Sequence, residues 1–241
     1  MRTLILSCNT GAGHNSCAKA LQETFTAHGE VCDIIDALQF ISERASQFIS
    51  NWHTRIYLYA PKLFKAGYQG AENHDSLFRE GTGIYKFLTS GADRIYDYIV
   101  EGEYDNIICT HVFPALAISE MQERHPSMRI TTSFISTDYT CSPSVSDSNL
   151  EWYFIPAESL KDEFVRCGVP SEKLVASGLP AKRAFYARPD KKAAKAALGF
   201  DEDQRHLLVM CGSMGCGPME RITELLANSL PPEYDVTVDC S

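Results

Sequence analysis

Apolar, β-branched runs alternate with amphipathic helical stretches, glycine-rich turns join strand to helix, and the intervals are long enough for crossovers. Together these predict an α/β chain, a doubly wound, Rossmann-like parallel sheet with helices on both faces. Thr3 to Cys8 reads as a buried first strand. Asn15 to His28 follows as a helix with Ala18, Leu21 and Phe25 on one face and Gly29 as its stop. Val31–Asp36 is the second strand and Asn106–Thr110 the third, after which a helix starts at Pro114, a proline at a first-turn position. Arg129–Thr137 is the fourth strand and Trp152–Ile155 the fifth. A helix from Glu158 to Cys167 is closed by Gly168, and Lys173–Ser177 makes a short sixth strand.

The composition then changes. The stretch from Lys182 to Lys195 concentrates Lys182, Arg183, Arg188, Lys191, Lys192 and Lys195, and an alanine-rich helix runs on to Gly199. A new βαβ follows: Leu207–Met210, a helix from Met219 to about Leu230, and Tyr234–Val238. A lone βαβ cannot cover both faces of its own sheet. It either adds two strands to the first sheet or opens a second domain, and the basic linker favours the second. The expected division is a lobe over 1–177, a linker and helix over 178–204, and the start of another lobe over 205–241.

Bulk properties narrow the function classes. With 22 basic against 31 acidic side chains the net charge is −9, which lacks the basic footprint of a general nucleic-acid binder. No apolar run reaches the ~18–20 residues of a membrane span, and the short apolar start runs straight into glycines, unlike a signal peptide. The nine cysteines are odd in number and contain no C-x-x-C pair, so all nine read as reduced, small hydrophobes, and a cytoplasmic location is expected. The segment 45–71 carries no acidic residue, yet it holds Arg55, Lys62 and Lys65 among Phe48, Trp52, Tyr57, Tyr59, Phe64 and Tyr68. Basic groups interleaved with interfacial aromatics suit an anionic membrane surface, each charge contributing about 1 kcal/mol there. An amphipathic helix packed on the sheet through Phe48 and Trp52 is the alternative.

The chemistry concentrates in two turns. Thr10-Gly11-Ala12-Gly13-His14-Asn15 joins the first strand to its helix, at the carboxyl end where doubly wound sheets bind ligands. Glycines let a ligand approach the backbone, and the helix start favours negative charge. The G-x-G-x-x-G fingerprint is not met, because Ser16 stands where its third glycine would be, and no Walker loop is present. His14 at the mouth is a candidate base. A second turn, Gly212-Ser213-Met214-Gly215, repeats the strand–glycine–helix arrangement and suits a diphosphate leaving group.

These residues resemble a family, the monogalactosyldiacylglycerol synthases and processive diacylglycerol glucosyltransferases, relatives of the peptidoglycan lipid N-acetylglucosaminyltransferase. The resemblance is carried by Thr10-Gly11-Ala12-Gly13-His14 with its small-residue helix and by Ser136-Thr137-Asp138. The run Tyr153 to Val165 ahead of Gly168, Ser177-Gly178-Leu179-Pro180, and the Gly212–Gly215 turn complete it. It implies a GT-B glycosyltransferase, with a first lobe for a lipid acceptor and a second for a UDP-sugar, facing each other across a cleft. His14 would be the base for the diacylglycerol hydroxyl or a residue orienting it, and Asp138 would orient His14 or contact the acceptor. Thr10, Gly11, Gly13, Asn15 and His111 would line the acceptor side, and Gly178, Pro180, Gly212, Ser213, Met214 and Gly215 the donor side. Transfer of a hexose would be an inverting displacement with no cofactor and no metal, the UDP-sugar being a co-substrate. Ala12 departs from the family's usual glycine.

Family members continue well past Val236-Thr237-Val238, so the resemblance also implies a fragment with little activity alone. Two other readings share the fold: N-acetylglucosaminyl transfer to a polyprenyl-diphosphate-linked acceptor, and a non-catalytic lipid-binding lobe. The membrane partner is expected at the inner face, through the 45–71 segment.

Overall fold

The computed structural model describes residues 1–8, 12–42, 81–142, 144–210 and 218–239. Its first sheet has six strands: β1 (Arg2–Ser7), β2 (Val31–Asp36), β3 (Asn106–Cys109), β4 (Thr131–Ile135), β5 (Trp152–Ile155) and β6 (Leu174–Ala176). They run in the order β2-β1-β3-β4-β5-β6, and every pair is parallel. The fold class is therefore the α/β one that the alternation of runs predicts. β1 pairs Leu6 with Ile35 of β2 on one side and with Cys109 of β3 on the other. The chain thus winds outward in both directions from β1, and the reversal of strand order falls between β1 and β3. Above that point sheets of this kind leave a crevice at the carboxyl ends of their strands.

Both faces of the sheet are covered, which is why β1 is apolar at successive positions rather than at alternate ones. On one face Ile5, Ile108 and Ile135 pack with Cys17 and Ala18 of helix α1 (Ala12–Ala27), with Leu21 and Phe25 partly buried beside them. On the other, Leu4, Leu6, Ile107, Cys109 and Phe134 meet three helices: α3 (Ala92–Glu101), α4 (Val112–Arg124) and α5 (Lys161–Arg166). Helix α2 (Gly83–Leu88) packs Tyr85 and Leu88 on Leu116 of α4. Helices α2 and α3 fall in a stretch for which the sequence reading named no element. Yet Ala92, Ile95 and Ile99 of α3 recur at helical spacing and are all buried.

Two boundaries differ from expectation for a physical reason. Helix α1 begins at Ala12, so Gly13 and His14 lie in its first turn rather than in a loop ahead of it. Helix α4 begins at Val112 because His111, with extended backbone, caps it through its imidazole, ahead of Pro114. The uniform reading of the cysteines also needs correction. Cys8, Cys17, Cys32 and Cys109 are buried, and burial pushes the Cys17 thiol up to about 12, but Cys141 is half-buried and Cys167 is exposed. Cys167 follows the last turn of α5, beyond the stripe that buries Phe164.

The chain divides into two compact units, Met1–Arg183 and Ala184–Ser241. The second holds helix α6 (Lys191–Ala197), strand β7 (Arg205–Met210), helix α7 (Met219–Ser229) and strand β8 (Tyr234–Asp239). Strands β7 and β8 pair with each other, in parallel, as a separate two-stranded sheet. Among the described residues no helix is long and apolar enough to cross a membrane. The 45–71 segment lies outside the described residues.

Candidate functional site at the carboxyl ends of β1, β3 and β4

Three strand ends converge where the sheet order reverses. Just beyond β1, α1 carries His14 and Asn15 in its first turn, both half-buried. Ser7, at the buried end of β1, donates its hydroxyl to Asn15 Oδ1 at 2.6 Å, which ties the helix start to the strand end. Beyond β3 come Thr110 and His111, and beyond β4 come Ser136, Thr137 and Asp138.

His14 Nδ1 lies 2.7 Å from the Thr110 carbonyl oxygen and 3.0 Å from the Thr137 hydroxyl. A carbonyl oxygen only accepts, so Nδ1 carries the hydrogen and Nε2 the lone pair. Nε2 has no hydrogen-bond partner among the described residues. The His111 ring stands edge-on to the His14 ring, with centroids 4.6 Å apart and planes at 74°. His111 Nδ1 accepts the Phe113 backbone N–H at 3.1 Å, so its own hydrogen sits on Nε2. The two imidazoles therefore carry opposite tautomers, each set by a backbone group. Thr110 is wholly buried, and its hydroxyl has no hydrogen-bond partner among the described residues.

The structure thus brings His14, Asn15 and His111 together, with Gly13 exposed beside them. Asp138 is exposed, and its carboxylate bonds to no described residue; its backbone carbonyl accepts the Ser136 hydroxyl at 3.1 Å. The contact to His14 comes from its chain neighbour Thr137. Further along the same loop, Glu163 Oε1 accepts the Thr140 hydroxyl at 2.6 Å and the Cys141 N–H at 2.7 Å. These bonds, the Thr140 one foremost, hold the Glu163 carboxyl below its usual range. Gly178 and Pro180 follow the end of β6, where Gly178 takes a left-handed backbone at φ +83°. Thr10, Gly11, Gly212, Ser213, Met214 and Gly215 lie outside the described residues.

Three participants escape a reading of the sequence. Thr110 acts through its carbonyl, which every residue has, and Thr137 through a hydroxyl in contact with a residue 123 positions away. Glu163 is one of several acids on a helix surface. Among the described residues no group of three or more His, Cys, Asp or Glu side chains is placed to hold a metal ion.

The chain is similar to known proteins in sequence and in fold. The family model of monogalactosyldiacylglycerol (MGDG) synthase matches residues 14–181. A processive diacylglycerol beta-glucosyltransferase of Bacillus cereus is 22% identical over 259 residues, covering 99% of this chain and 60% of that protein. One from Staphylococcus saprophyticus is 24% identical over 245 residues, covering 99% and 59%. The chain thus spans about three-fifths of the length of these relatives. In fold it is similar to Anabaena Alr3699/HepE, solved in complex with UDP, with a TM-score of 0.52, 12% identity and coverage of 99% of this chain and 60% of that one. That likeness bears on the fold alone, which is the one GT-B glycosyltransferases have. With more than half its length matched by the family model, the chain belongs to the monogalactosyldiacylglycerol (MGDG) synthase family.

Proposed function

We propose that the protein to which this chain belongs moves a hexose from a UDP-sugar to diacylglycerol at the inner face of a membrane. The observation that carries this reading is His14. Its imidazole stands at the carboxyl edge of the sheet, with Nδ1–H held by the Thr110 carbonyl and Nε2 left as a lone pair with no partner among the described residues. Family membership and the named activity of the relatives supply the reaction class.

In this mechanism Nε2 takes the proton of the acceptor hydroxyl while that oxygen attacks the anomeric carbon of the sugar. The new C–O bond forms on the face opposite the diphosphate, the bond to UDP breaks, and UDP departs with the electron pair, inverting the centre. No cofactor or metal enters: the leaving charge is met by backbone N–H groups of the Gly212–Gly215 turn, assigned from sequence. Asn15 and His111 bound the acceptor side, Asp138 contacts the acceptor, and Gly178 and Pro180 belong to the donor side. The basic and aromatic residues of 45–71 hold the protein against anionic lipid.

The test is transfer from labelled UDP-hexoses to diacylglycerol in anionic vesicles, with the complete protein. A positioned base contributes about 10²–10⁴-fold, so His14→Ala loses at least about a hundredfold. The Lys62→Glu/Lys65→Glu double variant keeps its rate on detergent-solubilised acceptor and loses it on vesicles. Full activity of His14→Ala removes His14 from the mechanism, and equal vesicle binding by the double variant removes the membrane role of the segment.

A further inference from the structure

We infer that Thr137 is the positioning residue for His14: its hydroxyl, beside the Thr110 carbonyl that sets the tautomer, fixes the orientation of the imidazole, the task that the sequence resemblance gives to Asp138. The catalytic consequence rests on the reading of His14 as a base; the geometry does not.

His14 Nδ1 faces two oxygens, at 2.7 Å and 3.0 Å. The imidazole hydrogen is therefore forked between them. Flipping the ring by a half-turn would set a carbon against both oxygens and forfeit both bonds. Moving the hydrogen to Nε2 would set the Nδ1 lone pair against the carbonyl, leaving only a bond donated by Thr137. The two oxygens together therefore hold one ring orientation, and the carbonyl holds one tautomer, with the lone pair on Nε2. Asp138 is exposed, and its carboxylate touches neither ring nitrogen.

Thr137 is itself held. Ser136 N–H extends the ladder to the Phe154 carbonyl at 2.9 Å, and the Ser136 hydroxyl closes on the Asp138 carbonyl at 3.1 Å. Three and four residues beyond Thr137, Glu163 grips Thr140 and Cys141. The chain that carries the hydroxyl is thus held on both sides of Thr137, which is what a positioning group requires.

When Nε2 takes a proton the ring becomes a cation, and hydrogen bonds from a cation are roughly twice as strong as neutral ones. The Thr137 bond therefore strengthens during the reaction and acts on kcat rather than on KM. Two neutral oxygens replace the carboxylate that holds the histidine of a serine-protease triad.

The experiment is two-bond proton–nitrogen NMR of the imidazoles on this chain, which needs no sugar transfer, with the His14 signals identified by their loss in His14→Gln. The wild type shows His14 with its hydrogen on Nδ1. Thr137→Val moves the Nδ1–H resonance while the hydrogen stays on Nδ1, held there by the Thr110 carbonyl. Thr137→Ser restores the resonance and Asp138→Asn leaves it unchanged. Unmoved His125 and His206 signals report an intact fold, and Thr137→Ala, which removes the hydroxyl without adding bulk, is the second variant. Hydrogen on Nε2 in the wild type, an unmoved Nδ1–H resonance in both Thr137 variants, or a moved one in Asp138→Asn would each overturn the inference. In the complete enzyme Thr137→Val lowers kcat about tenfold, about 1.4 kcal/mol of barrier, at unchanged KM. A wild type that transfers no sugar but gives the expected spectra counts against the activity alone.

Discussion

Gly13 occupies the first turn of α1, and a Cβ built on it meets none of the described residues within 4 Å. Neither its backbone nor its described neighbours require glycine there, and in a helix alanine is the better residue by up to about 1 kcal/mol. What an added methyl meets is then whatever sits against the helix start beside His14. Gly178 is the opposite case: its surroundings are equally open, but φ is +83°, where an L side chain costs about 1–2 kcal/mol. Gly13→Ala should keep or raise the urea midpoint while lowering transfer by the complete enzyme about tenfold or more, since small misplacements at a reacting centre are expensive. Gly178→Ala should lower the midpoint with no change in its slope. Full activity of Gly13→Ala would show that no ligand reaches that face of the turn.

At the level of elements, the loop after β4 depends on one carboxylate of α5. Glu163 binds the Thr140 hydroxyl and the Cys141 amide, and its proton affinity is lowered by them. A carboxyl whose folded value lies below its unfolded one contributes stability that is fully present above the unfolded value and is lost as pH falls through the folded one. The loop should therefore stay closed through the ordinary range of glutamate titration and open only in more acid solution. Glu163→Gln should abolish that dependence and speed amide exchange at Cys141 at neutral pH, both visible by hydrogen exchange across a pH series; an unchanged Cys141 rate would disprove the clamp. The strands themselves were legible because parallel strands buried on both faces are continuous apolar runs, and Gly29, Gly168 and Gly199 mark helix ends with positive φ. Helix α3 was missed because tyrosines and charges separate its three buried apolar positions. The site was half legible. His14 and His111 stand out as titratable groups at strand ends, whereas Thr110 and Thr137 act through contacts that only the parallel order β1-β3-β4 creates.

For the molecule as a whole, the two units differ in how much they bury. Among the described residues every buried hydrophobic side chain but Met219 belongs to residues 1–183. The second unit has a two-stranded sheet and two helices, with Leu208 54% and Met210 61% exposed on β7 and Leu225 57% exposed on α7. Its tightest feature is polar: the Lys195 ammonium, nearly buried, donates to the carbonyls of Asp201, Glu202 and Gln204 and closes the turn between α6 and β7. A two-stranded sheet is marginal in water without a third strand or a fuller cover, whereas the first unit has six strands covered on both faces. Residues 1–183 expressed alone should therefore unfold in one cooperative transition and keep the dispersed His14 and His111 NMR signals of the longer chain. Residues 184–241 alone should show little tertiary dispersion and rapid amide exchange throughout β7 and β8. Limited proteolysis of the intact chain should then cut first beyond Arg183 and leave the site-bearing unit whole. A protected, cooperatively folded 184–241 would mean that the apolar surface of β7 and α7 is satisfied within the unit, and that the difference in burial does not set the order of unfolding.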